Sequence, residues 1–293
     1  MGPRLGPLVA TAVSLELRRY DPARLRRRGE ALRMGDSKRF GAFGRMGELE
    51  GLTLALAERA AGRPIRDADA LLDALGLDGL PGLRAPCPGG ATTAQCWTPL
   101  PLPAFGGDAD EGRARLAKLE GRALRVRRVR TVWACAGTLN AAMEAGVGKL
   151  DVDLRLFERL LIDARTALGE PLDARCGMIG GLRRYAPRFH HLEGAEVLSE
   201  VKGTSRYRVP GLGTLSFEVK ADDRHLAVGL ASMVGKVVRE IAMHRIVAHY
   251  RAFDDTLRPA SGYHDPVTRA FIVATAPHRR RLRIAPPCFE RRG

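Results

Sequence analysis

The chain is poor in the features that staple a fold or carry it across a membrane. Its five cysteines, Cys87, Cys96, Cys135, Cys176 and Cys288, are odd in number and widely spaced, with no C-x-x-C and no paired histidine spacing. The sequence therefore predicts neither a disulfide framework nor a zinc site, and the cysteines read as reduced thiols of a cytoplasmic protein. Nowhere do about 18 apolar residues run together, so no membrane span is expected. The apolar stretch Leu5–Leu15 is interrupted by Pro7 and no small-residue cleavage pattern follows, so no signal peptide is expected either. Nucleotide and hydrolase signatures are missing: Gly235-Lys236 lacks the leading glycine of a Walker A loop, Gly177-Met178-Ile179-Gly180-Gly181 is not G-x-G-x-x-G, and there is no G-x-S-x-G. There is no internal repeat. Lysine is scarce, six of 48 basic residues.

What is present suits a folded core: 293 residues, 45% hydrophobic and 28% charged. The net charge of +15 and isoelectric point near 10.4 exceed what solubility needs and point to a polyanionic partner. An arginine bias of this kind also follows from genome base composition, so both origins of the charge stay open. Residues 18–39 carry nine bases and three acids, and residues 278–293 carry six arginines and one acid, which resembles a flexible basic tail.

Hydrophobic period and turn residues divide the chain into alternating strands and helices, an α/β pattern. Strands are expected near 5–17, 122–135, 172–176, 196–209 and 215–219, the last two forming a hairpin about Pro210-Gly211-Leu212-Gly213. Helices are expected over 46–61, 67–77, 109–121, 138–147, 151–168 and, most clearly, 226–250. Six prolines and six glycines fall between Gly79 and Gly107, which predicts an irregular insertion over about 79–108 with Trp97 as its anchor. The expected organisation is one domain over 1–277 and the basic tail beyond it.

The segment from Val219 to Met243 carries most of the chemistry. Asp222 follows a strand end, where a carboxylate suits a hard cation such as Mg²⁺ or Mn²⁺. On the helix that follows, Ser232, Lys236 and Arg239 fall at i, i+4 and i+7, one hydroxyl and two cations on a single stripe that can grip phosphate oxygens. A solvated helix face beside an acidic turn is the alternative, and the pattern alone does not choose between them.

The run from Lys220 to Met243 resembles ribonuclease HII, whose pattern is K-G-D, seven variable positions, then A-A-S-I-x-A-K-V-x-R-D-x-x-M. The spacing from Asp222 to Ser232, Lys236, Arg239 and Met243 is kept without a gap. Three further segments agree in order: Gly35-Asp36-Ser37-Lys38-Arg39 is similar to the D-D-S-K-K loop, Ser261-Gly262-Tyr263 sits where K-G-Y lies, and Gly2–Leu8 resembles the end of D-E-A-G-R-G-P-L-A-G-P-L.

The resemblance implies a ribonuclease H-like fold, a mixed central sheet flanked by helices. It also implies a metal-dependent endonuclease that hydrolyses RNA in RNA–DNA hybrids, or cuts beside a ribonucleotide embedded in DNA, using Mg²⁺ or Mn²⁺ and leaving a 5′-phosphate. Asp222 would be the catalytic metal ligand. Gly2 would belong to the backbone turn that meets the ribose 2′-hydroxyl, Lys38, Lys236 and Arg239 would contact phosphates, Ser37 and Ser232 would add hydroxyl hydrogen bonds, and Tyr263 would stack on the sugar. The alternative for Tyr263 is a half-buried core ring, and His264 is assigned no role. The sequence departs from the family at the metal ligands: the Asp and Glu of the opening motif would align upstream of Met1, and another family acid falls on Gly177. Asp173 lies four residues earlier, roughly 13 Å along a strand, and is a poor substitute. One aspartate does not make a two-metal centre. Two expectations follow: an enzyme whose natural chain carries Asp-Glu-x-Gly ahead of Met1, or a catalytically impaired protein that holds nucleic acid through the surviving contacts. A general RNA binder with no hybrid preference is a third reading.

Overall fold

The computed structural model describes residues 3–41, 45–87 and 94–292. Strand β1 (Leu8–Leu17) comes first, and its partner β2 (Leu124–Ala134) follows only after a helical block: α1 (Pro22–Ala31), α2 (Ser37–Phe40), α3 (Met46–Ala61), α4 (Ala68–Leu75), α5 (Gly79–Arg84), α6 (Ala94–Trp97) and α7 (Ala109–Leu119). Then come α8 (Ala136–Glu144), α9 (Lys149–Leu168), β3 (Leu172–Gly177), β4 (Glu196–Val201), β5 (Thr204–Val209) and β6 (Gly213–Glu218). The one-turn α10 (Ala221–Arg224), the 26-residue α11 (Leu226–Arg251), α12 (Pro266–Ala274) and α13 (Ala276–Arg281) complete the order.

Local chemistry sets many of these boundaries. Asp21, Asp36, Asp67, Asp108 and Asp265 each accept a backbone N–H in the first turn of α1, α2, α4, α7 and α12, satisfying donors that a helix start leaves unpaired. Helices α3 and α9 end on Gly62 (φ 67°) and Gly169 (φ 73°), left-handed positions that favour glycine.

The chain is mixed α/β, as the sequence predicts, but among the described residues the strands form two sheets instead of one central sheet. β1 pairs antiparallel with β2, Leu8 opposite Ala134 and Leu17 opposite Leu124. The second sheet has the order β3-β6-β5-β4, with β3 parallel to β6 and the other pairs antiparallel. Alternation along β1 places Val9 and Val13 in one apolar cluster with α3 and α11, and Ala10 and Ala12 in another with α9. In α11, Leu230, Val234, Val237 and Ile241 recur at helical spacing and are all 0% exposed. Burial of each such side chain contributes about 1.5–3 kcal/mol. Under the second sheet the rings of Tyr185 and Phe217 stack with centroids 3.8 Å apart.

Three segments differ from expectation. Residues 196–209 are two strands, because Gly203 (φ 85°) turns the chain between Val201 and Thr204. The Pro/Gly-rich stretch begins with helix α5, which tolerates Pro81 because a first-turn proline gives up no intrahelical hydrogen bond. Trp97 does anchor this stretch, with Arg84 and Arg245 guanidinium groups 4.7 and 5.5 Å from its ring centroid; residues 88–93 lie outside the described part. Finally, the segment after 277 is packed rather than free. Phe289 is 2% exposed, and Asn140 Nδ2 donates to the Pro287 and Glu290 carbonyls at 2.8 Å. Charge density conceals one aromatic anchor there, Phe289, beside the polar contacts of Asn140, Arg4 and Arg291.

Candidate nucleic-acid interface

A groove of about 1230 Å³ runs between the two sheets, and nine lysine and arginine residues against five acids line it. α11 contributes the stripe identified in the sequence: Ser232, Lys236 and Arg239 all face the groove. Ser232 Oγ donates to Ser37 Oγ at 2.8 Å, and Lys236 Nζ donates to the Gly41 carbonyl at 2.6 Å, so the loop at residues 35–41 is docked onto α11. Lys38 stands beside them with an exposed side chain on the groove.

One turn further along α11, Arg239 Nη2 donates to the Ser261 carbonyl at 2.6 Å, Nη1 pairs with Glu240, and the guanidinium lies 4.2 Å from the centroid of the Tyr263 ring. Tyr263 is 50% exposed, so its ring is half-buried against the cation and presents its other part as a flat aromatic surface. The neighbouring Gly262 carbonyl accepts the N–H groups of Arg4 (2.8 Å) and Leu5 (3.0 Å). Gly6 and Gly262 both have φ near 79°, and a Cβ at either would lie under 3.0 Å from Met243 Sδ. Three separate segments of sequence, 4–6, 239–243 and 261–263, thus meet beside the groove. Gly2 lies outside the described residues.

Asp222, in α10, also lines the groove. It is half-buried, and its side chain makes no hydrogen bond or ion pair among the described residues. Lys220, just before it, takes left-handed backbone (φ 55°), an uncommon conformation for a side-chain-bearing residue, at the turn that brings the strand end round to Asp222. No group of three or more His, Cys, Asp or Glu among the described residues is arranged to hold a metal ion. Asp222 alone does not fit a two-metal centre, and Asp173 is engaged elsewhere, with Arg175 Nη2 and Thr214 Oγ1 at 2.8 and 2.9 Å.

The residue opposite Gly177 is the one the sequence reading misses. Gly177 pairs in register with Glu218, a buried carboxylate at the end of β6. Glu218 Oε2 meets His225 Nε2 at 3.0 Å, Ser216 Oγ donates to Oε1 at 3.0 Å, and Arg175 Nη1 reaches Oε1 at 3.3 Å. The other ring nitrogen of His225 bonds to the Tyr20 hydroxyl. Burial alone would push the Glu218 carboxyl up, but the His225 hydrogen bond and charge, with Ser216 and Arg175, outweigh it and hold the group below the usual glutamate range. Burial pushes the Tyr20 hydroxyl up despite the nearby Arg175. A charged residue closing the apolar strand Leu215–Phe217, with a histidine one turn beyond the strand, was the available signal.

Chemically, the groove end offers cations, hydroxyls and one aromatic face, the set that contacts phosphates and sugars. No family model, no curated protein and no solved structure matches this chain. No helix among the described residues is long and apolar enough to cross a membrane.

Proposed function

We propose that this is a ribonuclease HII-like protein that binds nucleic-acid duplexes containing ribonucleotides, either RNA–DNA hybrids or DNA with an embedded ribonucleotide. The observation that supports this reading is convergence: Ser37, Ser232, Lys236, Arg239 and Tyr263, chosen on sequence resemblance and drawn from three segments spread over 227 positions, line one basic groove beside α11. Lys38, Lys236 and Arg239 contact phosphates, Ser37 and Ser232 contribute hydroxyls, the Tyr263 ring packs on a sugar, and the Gly2 turn is proposed to meet the 2′-hydroxyl. Three phosphate contacts give a slope of log affinity against log salt of about −2.7, a lower bound to which other groove arginines add. Anisotropy titration of a labelled hybrid at several salt concentrations measures it. A flat slope contradicts phosphate gripping, and equal affinity in Tyr263→Ala for hybrid and for plain RNA favours a general RNA binder.

A second reading, Mg²⁺- or Mn²⁺-dependent cleavage, is favoured by Asp222, a groove carboxylate with no partner among the described residues. It requires more carboxylates than the described residues bring together. Cleavage of a duplex carrying a single ribonucleotide, present in this chain and abolished in Asp222→Asn, would replace the binding reading with the enzymatic one; binding without cleavage is the outcome expected.

A further inference from the structure

Three side chains far apart in sequence form one hydrogen-bonded line along the groove wall. Glu218 closes β6, His225 lies between α10 and α11, and Tyr20 follows the end of β1; all three line the groove. His225 and Glu218 are buried, whereas Tyr20 is 39% exposed. The Glu218 carboxyl is held below the ordinary glutamate range, so at neutral pH it is ionised and can only accept a hydrogen bond. His225 Nε2 therefore donates to Glu218 Oε2 at 3.0 Å. A neutral imidazole carries a single N–H, so Nδ1 presents its lone pair, and the Tyr20 hydroxyl is the donor that meets it. The order is a carboxylate that fixes a tautomer, an imidazole with one free lone pair, and a hydroxyl on the most exposed residue of the three.

A weak nucleophile beside a base that a third group orients is the arrangement that activates hydroxyls for covalent catalysis. Tyr20 needs that help: burial pushes its hydroxyl up, so at neutral pH it keeps its proton and attacks poorly without a base. The surroundings indicate the electrophile. The Arg175 guanidinium lies 5.4 Å from the Tyr20 ring centroid, and Arg18, Arg19 and Lys220 line the groove with it. Cations in this number suit the anionic oxygens of a phosphodiester. Arg175 is shared with Asp173 at 2.8 Å and with Glu218 at 3.3 Å, and Arg224 stands 3.9 Å from Glu218.

We propose that Tyr20 is a nucleophile toward phosphodiester bonds, with His225 as its general base and Glu218 as the residue that positions His225. The choice of a nucleic-acid strand as substrate rests on the binding reading above; the activated hydroxyl does not. In the step, the bond from Tyr20 Oη to phosphorus forms as the bond from phosphorus to one sugar oxygen breaks. The phenolic proton passes to His225 Nδ1, and the leaving alkoxide takes a proton from water. The strand end is then a phosphotyrosyl ester on the protein. The freed sugar hydroxyl can attack it in reverse, so the strand is opened and resealed with no hydrolysis product released.

A small activated diester tests the nucleophile without any need for duplex binding. Thymidine 5′-(p-nitrophenyl phosphate) is mixed with the 293-residue chain in EDTA, which keeps metal-dependent hydrolysis out of the measurement. The expected result is a burst of p-nitrophenolate approaching one equivalent per chain, with a thymidylyl group found on the Tyr20 peptide by mass spectrometry. Tyr20→Phe is expected to abolish both, and His225→Gln to slow the burst at least about 100-fold. Glu218→Gln should slow it and move the midpoint of its rise with pH downward, because an amide no longer stabilises the imidazolium; a merely structural role would leave that midpoint in place. The unaltered chain decides the matter if a variant fails to fold: no burst and no modified Tyr20 overturns the inference, as does a burst that survives in folded Tyr20→Phe. Anisotropy with a labelled hybrid separates the two readings. Hybrid bound with no burst and no adduct overturns this inference alone, whereas a Tyr20 adduct without hybrid binding upholds the nucleophile and overturns the nucleic-acid reading.

Discussion

Glu218 is the side chain on which the groove wall turns. Its carboxyl lies below its ordinary value of 4.5 because the charged form is hydrogen-bonded to His225, Ser216 and Arg175. A carboxyl depressed in the folded state adds stability above its unfolded value and loses it as pH falls through the native value. Melting temperature should therefore drop as pH falls below about 4.5. Glu218→Gln should flatten that part of the profile and cost about 1–3 kcal/mol at neutral pH, where the remaining partners are left facing an uncharged amide. Thermal melts between pH 3 and pH 7 check both. The sequence made Ser232, Lys236 and Arg239 legible because a helix converts spacing into a shared face. It left Glu218 illegible because its role depends on register: only the pairing of β3 with β6 sets it beside Gly177, and no run of letters displays a pairing.

At the scale of elements, the contact between the Pro3–Pro7 turn, the 261–263 loop and α11 is tight enough to be tested by one methyl group. Gly262→Ala would force a left-handed alanine and place Cβ 2.9 Å from Met243 Sδ and 3.0 Å from Arg239 Nη2. A loss of about 1–3 kcal/mol in stability is expected. Because Arg239 holds Tyr263, weaker duplex binding should accompany it, and denaturant melts with anisotropy on one preparation separate the two effects. Leu230→Ala, in the buried stripe of α11, should cost about 2–5 kcal/mol while leaving the salt slope of binding unchanged in whatever folded protein remains. Elements with a strong period were legible: α3, α9 and α11 lie within a few residues of expectation. The division of the strands into two sheets was not, since it is decided by which edges meet, and the turn at Gly203 divides what the sequence reads as one strand.

For the whole molecule, the surplus of positive charge is distributed unevenly in purpose. Many arginines are committed to structural pairs such as Arg128 with Asp163 and Arg59 with Glu120, and the basic segment after 277 is folded against the body through Phe289. Net charge therefore overstates the binding surface, and the sequence could not separate paired from available cations. Phe289→Ala is expected to destabilise the protein by about 3–5 kcal/mol, measurable by denaturant unfolding, where a flexible tail would have shown no effect.

Ser232, Lys236, Arg239 and Met243 all project from a single rod, α11, which is about 39 Å long. They can be altered one at a time but not moved one at a time. A single inserted residue between 232 and 236 would rotate everything beyond it by about 100° and carry it about 1.5 Å along the axis. Lys236, Arg239 and Met243 would leave their partners together, so this stretch of the chain admits substitution but no change of length.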